Sequence, residues 1–80
     1  LAAEQGQPNA QAALGQMHQN GDGVPKDLIR AYMWYQIAAS AGVKFADEAR
    51  DIIFARLSSS ELKKAQNLAR ECVQKKYKDC

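Results

Sequence analysis

Apolar positions recur at three- and four-residue intervals along most of this chain, the spacing that lines one face of an α-helix. The densest segment is 28–41. There Leu28, Ala31, Tyr32, Tyr35, Ala38 and Ala39 form one stripe, while Met33, Trp34 and Ile37 make the other side apolar too. A helix apolar nearly all round is expected to be wedged between neighbours, with Trp34 and Tyr35 as core anchors whose polar atoms find partners. Phe45, Ala49, Ile52, Ile53 and Leu57 predict another helix, from about Phe45 to Leu57. Leu62, Ala65, Leu68, Ala69, Cys72 and Val73 predict the inner stripe of the longest one, running to about Tyr77.

The breaks between these stripes carry helix start and stop signals. Pro8 opens a first helix, to about Gln19, at a position where its missing N–H costs nothing. Asn20-Gly21-Asp22-Gly23 closes it, Asp27 is a good N-cap for the second helix, and Gly42 ends that one. Ser58-Ser59-Ser60-Glu61 reads as a capping box, with Ser58 and Glu61 satisfying each other's backbone N–H groups. The connections are short, so sequential helices are expected to pack antiparallel as two helical hairpins.

Composition strengthens this picture. Alanine supplies much of the apolar mass, Ala2 and Ala3 included, valine is scarce and threonine is absent, so the fold class is all-α. At 80 residues, 46% hydrophobic and 25% charged, the chain is one small globular domain. That excludes a disordered tail, a disulfide-rich knot and a large catalytic domain. No apolar run approaches the ~18–20 residues of a membrane span, and nothing at the start reads as a signal peptide. The first residue is Leu1 rather than Met, and removal of upstream sequence is expected. A net charge of +2 is too mild to argue for nucleic acid.

Sliding the chain by 36 residues places Ala3 on Ala39, Gly6 on Gly42, Ala10 on Ala46 and Ala13 on Ala49. Ala-x-x-Gly ends one helix and turns; the later alanines let the next helix pack close. The chain thus reads as a single domain over residues 1–80: the tail of one repeat, a complete repeat over about 6–41, and a diverged final repeat with a capping helix over 42–80. An α/α solenoid of about four antiparallel helices is the expected architecture.

Ala10, Leu14-Gly15, Gly21-x-Gly23-Val24, Asp27, Ala31, Trp34-Tyr35, Ala38-Ala39, Gly42 and Ala46 follow in order and spacing the signature of Sel1-like repeats, relatives of the tetratricopeptide repeats. The chain resembles that family over about residues 3–49, with His18 where the family usually has Tyr. The resemblance implies a bacterial Sel1 repeat protein: an adaptor whose tandem hairpins bind another protein or peptide, with no catalysis and no cofactor. By analogy with related solenoids, first helices line the ligand side, which makes Asn9, Gln16 and Gln19, with Asp47 and Arg50 on the third helix, the candidate contacts.

Other chemical patterns are weaker. Ser60-x-x-Lys63 matches the start of a β-lactam-reactive site, but its partner motifs Ser-Asp-Asn and Lys-Thr-Gly are absent and helix capping accounts for it better. Asn20-x-Asp22 lacks the rest of a calcium loop, His18 is a lone histidine with no metal-ligand spacing, and Asp47, Glu48 and Asp51 suit the start of a helix. A small hydrolase using Ser60 and a purely structural cap of a longer array are the competing functions. The basic run Lys63, Lys64, Arg70, Lys75, Lys76 and Lys78 reads as a solvated surface; without interleaved aromatics no nucleic acid is expected.

Cys72 and Cys80 leave two readings open. On one continuous helix they would stand roughly 12 Å apart, whereas a helix ending near Tyr77 lets Cys80 fold back. Their Cys-x7-Cys spacing is similar to that of cysteine-rich secreted Sel1-like proteins of bacteria. A bridge implies the periplasm or secretion, free thiols the cytoplasm. The oligomeric state is left open by the sequence.

Overall fold

The computed structural model describes residues 3–80; Leu1 and Ala2 lie outside the described residues. A short 3-10 turn, Ala3–Gln5, precedes four helices: α1 Pro8–Asn20, α2 Leu28–Ser40, α3 Lys44–Phe54 and α4 Ser59–Gln74. The starts of α1, α2 and α4 have the local cause read from the sequence. Pro8 stands at the first position of α1. Asp27 Oδ1 accepts from the amides of Ile29 and Arg30 at 3.0 and 3.1 Å, satisfying two donors the open end of α2 would otherwise leave unpaired. Ser58 Oγ accepts from the Glu61 amide at 3.2 Å while Glu61 Oε1 accepts from the Ser58 amide at 2.9 Å, which closes the capping box of α4.

The ends of α2 and α4 follow one pattern. After α2, the Gly42 amide donates to Ala39 O at 3.0 Å and the Val43 amide to Ala38 O at 3.1 Å. Gly42 takes φ 98°, a backbone state that favours glycine. Thirty-six residues earlier, the Gly6 amide donates to Ala3 O at 3.2 Å with φ 78°, so the matched Ala-x-x-Gly segments form the same turn. After α4 the two closing bonds recur, from Lys76 to Val73 O at 3.0 Å and from Tyr77 to Cys72 O at 2.8 Å. Here Lys76 and Tyr77 hold φ 54° and 67° without glycine. The helix therefore stops at Gln74, short of the expected Tyr77.

α2 is the axis of the molecule. All the extensive helix–helix interfaces include it, with α1, α3 and α4 packed around it. The apolar stripe containing Ala31, Tyr32, Tyr35 and Ala38 meets Ala12, Ala46, Ile53 and Ala65. Met33, Trp34 and Ile37 form a second cluster with Ala3, Ala69 and Cys72. The all-round apolarity of α2 is matched by burial on both sides, with Trp34 and Tyr35 each 2% exposed. Gly15 brings α1 close: a side chain there would meet the Tyr35 ring at 3.1 Å and Ala31 O at 3.3 Å. Buried Gln11, which no hydrophobic pattern marks, donates from Nε2 to Ala3 O at 3.2 Å and ties α1 to the N-terminal turn. The second helical pair is looser than the expected hairpin, because α3 and α4 are each held chiefly against α2.

The stripe expected on α3 is rotated. Ala46 and Ile53 are fully buried, whereas Phe45 and Ile52 are half-exposed or more, because each sits one residue, about 100° of helix, before a buried position. α3 also ends at Phe54, not Leu57, with the Arg56 amide bonding back to Ile53 O at 2.8 Å. On α4, Val73 is half-exposed rather than inside.

This register gives a direct test. Ile53→Val should cost about 0.5–1.5 kcal/mol and Ile53→Ala about 2–5 kcal/mol in urea denaturation. Ile52→Ala should change stability by no more than about 0.5 kcal/mol. The capping box predicts a pH effect. The Ser58 amide, then its hydroxyl, hold the Glu61 carboxyl below its ordinary value of 4.5. A lowered folded value means the stabilisation is complete above the ordinary carboxylate pKa and is lost as pH falls through the lowered one. Glu61→Gln should flatten that acid limb of α4 helicity measured by circular dichroism.

Candidate protein interface

Of the expected contacts, Asn9 and Gln16 are exposed on α1. Gln19 is half-buried and engaged, its Oε1 accepting from the Tyr35 hydroxyl at 2.7 Å. Burial pushes the Tyr35 pKa above its ordinary 10.0, keeping this hydroxyl a neutral donor. On α3, Arg50 pairs with Asp47 at 3.1 Å and with Asp51 at 3.4 Å, and its Nη1 donates to Gln36 Oε1 of α2 at 3.3 Å. Asp47 and Arg50 thus come together and reach α2, while Gln19 is bound to the core.

α3 also exposes Phe45, Ile52 and Phe54, at 50–59%. Sequence reasoning missed them as surface residues, having counted Phe45 and Ile52 as core. The signal that separates them is Ala46 and Ile53, seven residues apart, as the buried line.

A groove of about 520 Å³ runs between α2 and α4, lined among others by Gln36, Ile37, Ser40, Arg70, Val73 and Tyr77. Gln36 joins it to the Arg50 cluster. Arg70 is exposed, with no ion pair among the described residues.

The tail after α4 is clipped back. Cys72 and Cys80 have their sulfurs at bonding distance, 2.00 Å, and their Cα atoms 5.5 Å apart. The turn at 75–77 makes this approach possible where a continuous helix would not. The Arg30 guanidinium donates to the Cys80 carbonyl. Tyr77 lies against the N-terminal turn, where a side chain on Gly6 would meet its ring at 3.1 Å. The clip therefore packs residues from both ends beside Trp34.

The remaining patterns resolve as local structure. Ser60 is exposed in the first turn of α4, its hydroxyl 3.3 Å from that of Ser58. His18 closes the loop after α1: its carbonyl accepts from the Asp27 amide at 2.9 Å, and Nδ1 donates to Pro25 O at 3.4 Å. Among the described residues, no group of three His, Cys, Asp or Glu side chains is placed to hold a metal, and no helix is long and apolar enough to cross a membrane.

Close helix pairs, a glycine turn repeated at 36 residues and a central helix buried on both sides define a helical repeat protein of the tetratricopeptide-like class. The family model of the Sel1 repeat matches residues 8–43, so the chain contains a Sel1-like repeat. This match spans α1, α2 and the turn after them. Sel1 repeats are generally associated with protein–protein interaction. No curated protein and no solved structure matches the chain.

The clip yields a prediction. Non-reduced protein should take up no alkylating reagent, and two labels should appear after reduction. Replacing both cysteines by serine should lower stability by about 2–3 kcal/mol, the loop-closure effect for so short a loop. Ready alkylation without reduction would contradict a closed clip.

Proposed function

We propose that this chain is a protein-interaction adaptor with no catalysis of its own, binding another protein or peptide through the surface built on α1 and α3. The observation that carries this reading is the exposure of Phe45, Ile52 and Phe54 on the same helix that carries the Asp47–Arg50 pair. Large apolar side chains in water rimmed by charges are typical of binding surfaces, and aromatic and arginine side chains dominate interface energies. Asn9 and Gln16 extend the polar part of this surface along α1; Gln19 contributes by fixing Tyr35 beneath it. The Sel1 repeat over residues 8–43 supports the same reading.

The Cys72–Cys80 clip favours an oxidising location, the periplasm or the outside of a bacterial cell; the cytoplasm is the alternative if the thiols are free. A second reading, the closing unit of a longer array, is favoured by α4, whose outer face exposes Glu61, Lys63, Lys64 and Gln66 to water as a terminal cap requires.

The adaptor reading is tested on a partner obtained by crosslinking the wild-type protein. Gln16→Ala with Arg50→Ala, or Phe45→Ser with Phe54→Ser, should weaken that partner at least about tenfold, as expected when interface anchors are lost. All these side chains except Arg50 are exposed, so the thermal midpoint should move little. Equal binding by every variant would remove the α1–α3 surface from consideration.

A further inference from the structure

The groove between α2 and α4 has a chemistry of its own. Its apolar lining comes from Ile37, Ala41, Ala69, Val73 and Tyr77. Its polar groups are the Gln36 and Gln66 amides, the Ser40 hydroxyl and the Arg70 guanidinium, and no carboxylate lines it. Ser40 is already occupied, its hydroxyl donating to Gln36 O at 3.0 Å. Arg70 is thus the one charged lining residue, and it has no ion pair among the described residues.

The C-terminal segment as a whole is basic, with Lys63, Lys64 and Lys75 lining other clefts of α4. From Lys63 to the end the chain carries six cations against Glu71 and Asp79. The other guanidinium near the groove, Arg50 beside Gln36, is neutralised by Asp47 and Asp51. An unpaired planar guanidinium among apolar lining residues matches a carboxylate flanked by apolar side chains. Arg presents paired N–H donors to the two carboxylate oxygens, while the apolar lining removes the adjacent apolar groups from water.

We propose that the α2–α4 groove docks an acidic segment of a partner protein, with Arg70 holding a carboxylate and Ile37, Val73 and Tyr77 receiving the apolar residues beside it. This inference rests on the adaptor reading and adds the partner's chemistry and a second contact surface, continuous with the Arg50 cluster through Gln36. The clip has a role in it, because Tyr77, which lines the groove, belongs to the segment tied back by Cys72–Cys80.

The test is selection of a random twelve-residue peptide library displayed on phage against the oxidised protein, followed by titration of the enriched peptides in solution. Enriched peptides should carry Asp or Glu beside apolar residues. Their affinity should fall about tenfold, equivalent to loss of one good contact, in Arg70→Ala and in Val73→Lys, and stay unchanged in Lys64→Ala. Arg70 and Val73 are exposed, and circular dichroism of both variants checks that the fold is kept. Neutral or basic enriched peptides, no enrichment, or displacement of the peptides by a thymidine oligonucleotide would overturn the proposal. Peptides lost on Gln16 or Arg50 replacement but indifferent to Arg70 and Val73 would overturn it too, while leaving the adaptor reading standing.

Discussion

The structure depends on the burial of α2 from both sides. In a domain of 80 residues most helices can hide only one face, and surface-to-volume scaling leaves little apolar area to stabilise the fold. A helix that buries Tyr32, Met33, Trp34, Tyr35 and Ile37 at once concentrates that area on a single element. Each such side chain contributes about 1.5–3 kcal/mol when fully removed from water. The other helices need only a narrow apolar stripe, because each has α2 to lie against. Ala12, Ala46, Ala65 and Ala69 keep those approaches close, and Gly15 lets α1 lie over the Tyr35 ring.

This arrangement decides what is left for binding. α3 touches the core through Ala46 and Ile53 and is otherwise free to show Phe45, Ile52 and Phe54. α4 touches it through Ala65, Ala69 and Cys72, leaving its flank to form the groove with α2. Both surfaces follow from α3 and α4 packing separately on one central helix rather than tightly on each other. The tail then adds a constraint that helix packing alone would not supply. Lys76 and Tyr77 occupy a backbone state usually left to glycine. Contacts of Tyr77 with Gly6, of Arg30 with the Cys80 carbonyl, and the Cys72–Cys80 pair hold the segment there.

Much of this was legible in the residues. Pro8, Asp27, Gly42 and the Ser58–Glu61 box mark helix boundaries by local chemistry, which a linear sequence displays in full. The doubly apolar pattern of 28–41 announced a wedged helix, and the Ala-x-x-Gly spacing announced a repeated turn. The candidate site was less legible. Asp47 and Arg50 do meet, but Gln19 serves the core, and the groove with its Arg70 was read only as part of a solvated basic surface.

The sequence by itself determined the helices, their caps, the repeat and its family, because each is set within a few residues or by a fixed spacing. Only the tertiary structure decided which side of α3 faces inward, where α4 stops and how Cys80 returns to Cys72. Those outcomes depend on contacts with distant partners. Phe45 and Ala46 are both apolar, and the close fit available against α2 selects the smaller one for the core.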